Sequence, residues 1–383
     1  STNSLTYGKN RAKIAWYQIE QTLQQINGQN NPISDRDELS DPRVRQVYQK
    51  EIFPQRTTGF GESQLVTFDM SYYPEEKGPY NYEDALLTPE GKFTDPKKKF
   101  GGLMRSLDQT DFETSNIEFI EFWMQDPFIN TPRRPNASNS DGGKLYFNLG
   151  NISEDVLKDG RRFYENGLST PNAPSPEDST IWGKVPRNPI QVTNAFSNIP
   201  EDRLFQDIGF DGLNDNDERS RRQAYLNNIA GNFGTGSKAY QDAVNDPSSD
   251  NYRNYRDAAF GASDGILARY KNYNSPDGNS PISDGGEFSS AATLYPDAED
   301  LNRDNTLNET EEYFQYIVDI KPPNATEMNI GTNFIVDKKT VPVNLVNGTT
   351  RDETWYQFRI PIGDYEKKIG NIPDFKSIRF MRM

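Results

Sequence analysis

Short runs that alternate apolar and polar residues crowd the two ends of the chain and are missing from its middle. Alternation with period two turns one face of a strand toward a core and the other toward solvent. The cleanest case is "GKLYFNLGNIS", where Leu145, Phe147 and Leu149 share a face and Gly142-Gly143 supplies the preceding turn. "SQLVTFDMSYY" (63–73) sets Leu65, Thr67 and Asp69 against Val66, Phe68 and Met70, and reads as a strand. "FGGLMRSL" follows after a polar loop, and "NIEFIEFWMQDPF" is dense in β-branched and aromatic residues. Strands resume at "EEYFQYIVDI" (311–320), followed by "NFIVDKKTVPVNLV", "TWYQFRIPI" and "KSIRFMRM". Pairing the two ends across the middle predicts a two-sheet sandwich.

From about residue 160 the texture changes. "LSTPNAPSPEDST" is a Pro/Ser linker, "DERSRRQAYLNNIAGNF" and "SKAYQDAVND" have helical spacing, and "GASDGILARYKNY" suggests a short helix. In the first sixty residues "DPRVRQVYQKEIFP", with Val44, Val47 and Ile52, reads as a short helix ended by Pro54. The expected fold is mainly β: a jelly-roll-like, galactose-binding-like β-sandwich with an α-helical, loop-rich insertion. Its expected parts are an N-terminal segment (1–62) packing on the sandwich, a first half-sandwich (63–164), the insertion (165–300) and a second half-sandwich (301–383). With 383 residues the chain can bury a sizeable core. Mean hydropathy of -0.89 demands much exposed or loop surface, and 12% aromatics argue against general disorder.

A formal charge of -15 disfavours nucleic acid and anionic lipid surfaces as partners. The chain has no Cys and no His, so disulfides, thiolate chemistry and Ser-His-Asp or Cys-His catalysis are excluded. No apolar run reaches the length of a membrane helix. The chain opens at Ser1 and stops on a strand-like run, and is expected to be a piece of something longer.

"DLNRDNTLNETE" (300–311) carries oxygen-bearing side chains at the spacing of a calcium loop. Asp300, Asn302 and Asp304 hold the first, third and fifth places. Thr306 would use its carbonyl, Asn308 could hold a water, and Glu311 sits where a bidentate Glu belongs. Asn305 replaces the usual Gly and tolerates the left-handed conformation. The flanks lack a helix pair, so a structural staple is expected rather than a sensor; the alternative is an acidic, solvated turn. "DIGFDGLNDNDE" (207–218) repeats the theme with Asp207, Asp211, Asp215 and Glu218, against a Gly turn that leads into an acidic helix start.

Two other functions are weighed. A two-carboxylate glycoside hydrolase needs converging acids, but Glu118 and Glu121, three apart on a strand, point to opposite faces. A carbohydrate-binding module would use Trp16, Trp123, Trp182 or Trp355; Trp123 and Trp355 read as core, and Trp182, in a loop, as the exposed one. "KKKF" (97–100) reads as a solvated face.

Several stretches together resemble one family: "AKIAWYQIE", "SYYPEEKGPYNY", "FGGLMRSLDQTDFETSNIEFIEFWMQDPF", "GKLYFNLGNISEDVLKDG", "DIGFDGLNDNDE", "RYKNYNSPDGNSP", "DAEDLNRDNTLNETEEYF" and "KSIRFMRM". They are similar to the SprA/Sov family, the outer-membrane translocon of the type IX secretion system of Bacteroidetes. The resemblance implies a very large β-barrel that exports folded cargo and, in gliding species, surface adhesins. It implies as partners the rest of that barrel, a PorV-type shuttle protein, a plug protein and secreted cargo. This chain would be a non-barrel module without catalytic residues, outer-membrane-associated, on the extracellular rather than the periplasmic face.

Overall fold

The computed structural model describes residues 4–56, 63–131, 141–188, 196–197, 199–280, 293 and 295–383. Its strands in chain order are Ala12–Tyr17 (β1), Val47–Tyr48 (β2), Gln64–Leu65 (β3), Asp69–Lys77 (β4), Met104–Ser106 (β5), Phe119–Gln125 (β6) and Gly143–Asn151 (β7). Glu177–Ser179 (β8), Lys184–Pro186 (β9), Glu312–Ile320 (β10), Ile335–Asn344 (β11), Thr350–Pro361 (β12), Lys367–Ile369 (β13) and Phe380–Arg382 (β14) follow. The α-helices are Arg36–Leu39 (α1), Gln49–Ile52 (α2), Pro200–Arg203 (α3), Asp215–Arg221 (α4), Gln223–Phe233 (α5), Lys238–Asn245 (α6) and Ile266–Tyr270 (α7). The fold is mainly β, with antiparallel sheets and no barrel among the described residues.

Residues from opposite ends of the chain build both main sheets. β7 runs against β10 from Gly143↔Ile320 to Asn151↔Glu312. Its other edge takes β14, with Phe380 opposite Gly150 and Arg382 opposite Asn148. β13 and β5 close the edges of this five-stranded sheet. The second sheet has the order β11-β12-β6, with Phe358 opposite Phe122. Period-two alternation then does what the sequence implied. Phe147 and Leu149, Phe314, Tyr316 and Val318, and Tyr356, Phe358 and Ile360 are all buried in one shared core. Phe122 stacks on Phe358 at 5.0 Å and meets Phe147 of the other sheet at 5.5 Å.

The outer face of the smaller sheet is covered in turn. Val47, Ile52 and Phe53 pack on Trp355 and Trp123. Beside them Arg45 donates to Glu353 (2.6 Å) and to both oxygens of Glu51 (2.8 and 2.6 Å), and all three are buried. The helix expected over this stretch is shorter than its apolar spacing suggested. Glu51 reaches back to accept the Tyr48 N–H (2.9 Å), which starts α2 at Gln49, and Val47–Tyr48 instead pair with β3.

Other expectations change for local reasons. The alternating run 63–73 breaks at residues 66–68 into β3 and the start of β4. β4 pairs with β1, outside both main sheets, with Met70 opposite Trp16. Trp182 is not exposed but fully buried, 6.1 Å from the Tyr82 ring, in a core with Leu226 and Ile229 of α5. The reason is a tight turn in which the Thr180 hydroxyl accepts the N–H groups of Trp182 and Gly183 (3.1 and 3.2 Å). "KKKF" is split: Lys97 is exposed, while Lys99 is buried over the Phe93 ring at 4.5 Å and pairs with Asp95 at 3.0 Å.

Asp69, at the start of β4, is held by the Thr67 hydroxyl (2.9 Å). Burial pushes its carboxyl up to about 6. The folded state therefore holds this proton more tightly than the unfolded chain, whose Asp titrates near 3.9. The associated stability is fully present below about pH 4 and is lost as pH rises through about 6. Asp69→Asn is expected to raise the melting temperature at pH 8 and to change it little at pH 4, as read by circular dichroism.

Candidate metal centre

Buried acids hold the loops of the middle region together. Glu38 accepts the Ile266 N–H (2.7 Å), and Glu165 those of Gly209 and Asp297 (3.0 and 2.8 Å). Glu299 accepts Val156 and Phe163 (2.6 and 3.2 Å), and Glu154 accepts Leu301 and Asn308 (2.7 and 3.2 Å). Such charge-assisted bonds satisfy loop amides and, at Ile266, the first amide of α7. Burial still pushes Glu165 and Glu299 well above the usual carboxylate range.

Three acidic loops share one hydrogen-bonded hook. In 155–160, 246–251 and 300–305 the leading Asp accepts the N–H groups four and five residues on. The distances are 3.2 and 2.9 Å from Asp155, 3.0 and 3.3 Å from Asp246, and 3.0 and 2.9 Å from Asp300. The fourth residue of each is left-handed: Lys158 at φ +56°, Ser249 at +57° and Arg303 at +57°.

Within 300–311 the oxygens are engaged locally. Asp304 accepts Thr306 N–H (2.9 Å), and Asn302 accepts Asp304 N–H (3.1 Å). Asn308 donates its amide to the Ile152 carbonyl (2.8 Å). Glu311 faces Arg382 of β14, with both oxygens at 3.1 Å, and Lys158 at 3.6 Å. Asp300, Asp304 and Glu311 do not gather within one ion's reach. The loop keeps the hook that the spacing of Asp300, Asn302 and Asp304 implies, while its last acid is turned to the sheet.

The second acidic stretch behaves differently. Asp207 pairs with Arg203 (3.0 Å) and accepts the Ser280 N–H (3.1 Å), apart from the other three. Asp211, Asp215 and Glu218 do come together, and with Asp246 and Asp250, which the sequence reading did not select. Oxygens of Asp211, Glu218 and Asp250 lie within 4.8 Å of one another, and so do those of Asp215, Glu218 and Asp246. Glu218 is common to both groups.

Local structure explains the convergence. The Asn214 side chain accepts the N–H groups of Asn216 and Asp217 (3.0 and 3.1 Å) and starts α4. Asp215 and Glu218, three apart, then fall on one side of the helix. Asp211 sits in a turn with Gly209 and Gly212 at φ +73° and +65°. A Cβ at Gly209 would lie 2.4 Å from Asp250 Oδ2, so only glycine admits that carboxylate. Asp246 and Asp250 come from the hooked loop after α6.

Ser248 donates its hydroxyl to Asp211 (3.0 Å) and its N–H to Glu218 (3.2 Å), and the Asn251 amide donates to Asp215 (3.2 Å). Glu218 Oε1 and both oxygens of Asp250 are buried without a hydrogen-bond partner. The Tyr80 hydroxyl stands beside Asp250 but makes no well-formed bond to it; it accepts the Phe210 N–H at 2.7 Å. Burial, reinforced by neighbouring carboxylates, pushes Glu218, Asp250 and Asp277 up.

Residues 224–383 match the family model SprA_N, described as a motility related/secretion protein. This stretch, under half of the chain, supports the resemblance to the SprA/Sov family. The match associates the chain with motility and secretion. No curated protein matches the chain. The SprA_N stretch contains β10–β14, which enter both sheets of the sandwich, and it contains Asp246, Asp250 and Asp277. Asp211, Asp215 and Glu218 come just before it, so the carboxylate groups join SprA_N residues to the segment that precedes them.

The rival sites gain nothing from this geometry. Trp182, offered as a sugar platform, is inside a core. Glu121, offered as a hydrolase acid, is paired with Arg359 at 2.7 Å.

Proposed function

We propose that this chain is a non-barrel module of a type IX outer-membrane secretion translocon, with a structural and docking role in protein export and, in gliding species, in motility. The observation that carries the reading is the SprA_N match over the strands that complete both sheets. The partners are the barrel of the same protein, a PorV-type shuttle, a plug protein and passing cargo. The module sits at the outer membrane, on the extracellular face rather than the periplasmic one. Among the described residues no helix is long and apolar enough to cross a membrane.

The surface offers a place to dock. Val66, Phe68, Met70 and Tyr72 alternate along residues 66–72 and are 60%, 55%, 41% and 43% exposed. Exposed apolar ladders of this kind are a common mark of interaction sites. The double substitution Phe68→Asp and Met70→Asp leaves every buried core intact, so the module should still fold. In cells whose translocon carries it, cargo is expected to accumulate inside and colony spreading to fail. Undiminished export with the variant present at normal level would remove this face from the reading.

A further inference from the structure

The carboxylates around Glu218 leave three buried oxygens, Glu218 Oε1 and both of Asp250, without a hydrogen-bond partner. Asp211, Glu218 and Asp250 are at most 1% exposed, and Asp250 has two unpartnered oxygens aimed into the group. A buried carboxylate left without donors is costly unless it is neutralised. The stretch 207–218 supplies Asp211, Asp215 and Glu218, and the fold brings Asp246 and Asp250 to them.

We infer that this cluster is a binuclear calcium-type site, with one ion among Asp211, Glu218 and Asp250, a second among Asp215, Glu218 and Asp246, and Glu218 bridging the two. Two oxygens bound to one calcium ion at about 2.4 Å can be at most about 4.8 Å apart. Both groups meet that limit. Charge points the same way. The five ligand acids and the adjoining Asp277 make six carboxylates, against Arg221 and Arg222 near Asp211 and Lys13 and Lys77 near Asp246, so negative charge remains in excess. Hard oxygen ligands select calcium, magnesium or manganese over softer metals. Three carboxylates per site favour calcium, because magnesium keeps several waters and uses one or two carboxylates.

The consequence is mechanical. The two ions tie the 207–213 turn, the start of α4 and the loop after α6 into one unit, across the point where the SprA_N match begins. The inference does not rest on the secretion reading, and its test uses the isolated chain.

The chain is stripped with EDTA, titrated calorimetrically with calcium and with magnesium, and analysed for bound metal by mass spectrometry. Two calcium ions per chain are expected, with a melting temperature raised by about 3 °C or more at saturating calcium. Magnesium should not substitute at equal concentration. Asp250→Asn should lose one ion, Glu218→Gln both, and Glu311→Gln neither. Should Glu218→Gln fail to fold, the stripped wild-type chain and Asp250→Asn still decide the matter. No calcium bound at millimolar concentration, or equal melting in EDTA and calcium, overturns the site. Calcium retained undiminished in both Asp250→Asn and Glu218→Gln overturns the ligand assignment, and a single ion overturns the bridge.

Discussion

Glu353→Ala is expected to destabilise the fold by about 3–5 kcal/mol, read as a shift of the urea midpoint at unchanged slope. Glu353 is fully buried on β12, and its carboxylate takes Arg45, Arg351 and Gln125. Removing it leaves the buried Arg45 guanidinium with one carboxylate, Glu51, and the Gln46 carbonyl. The cost is that of a stranded charge, not of a lost attraction. A variant that replaces Arg45, Glu51 and Glu353 together with apolar residues of similar volume should therefore cost far less than Glu353→Ala, and can be neutral or stabilising. Equal losses in the single and triple variants would show that the network acts by attraction instead. Burial alone would lower the Arg45 pKa; the two acids reverse this and hold it raised.

Phe358→Ala is expected to cost about 3–5 kcal/mol by the same measurement. Phe358 is wholly buried in the middle strand of the smaller sheet, stacked on Phe122, in the core shared with Phe147 and Tyr316. The cavity would open between the sheets, where neither can collapse without disturbing strand pairing. Val336→Ala, on exposed surface of β11, should stay within about 0.5 kcal/mol. A Phe358→Ala loss below about 1 kcal/mol would mean that the sheets do not share a core.

The strands were legible because their faces differ. Leu145, Phe147 and Leu149 alternate with polar neighbours, and the fold buries Phe147 and Leu149 in the shared core. The order of strands within the sheets was not legible, since β14 beside β7 depends on contacts more than two hundred residues apart. Trp182 misled because a polar loop sequence says nothing of the helix that will cover it. The metal centre was half visible. Asp211, Asp215 and Glu218 lie within one short acidic stretch. Asp246 and Asp250 belong to "DPSSDN", which has the pattern Asp-x-x-x-Asp-(Gly or Asn) of "DVLKDG" and "DLNRDN". Comparing those three runs would have flagged it. "DIGFDG" fits the same pattern without the hook, because Asp207 is itself left-handed at φ +57°. The Glu nodes left no local mark, because a buried glutamate takes its meaning from distant amides.

The most direct measurement is site-specific photo-crosslinking in intact cells, with the reactive residue placed at Phe68 of the full-length protein. The proposed translocon role predicts adducts to a barrel of the same protein, a shuttle or a plug, and they should weaken when Met70→Asp is added. Crosslinking confined to components outside the secretion machinery, with export intact, would contradict a docking role for this module.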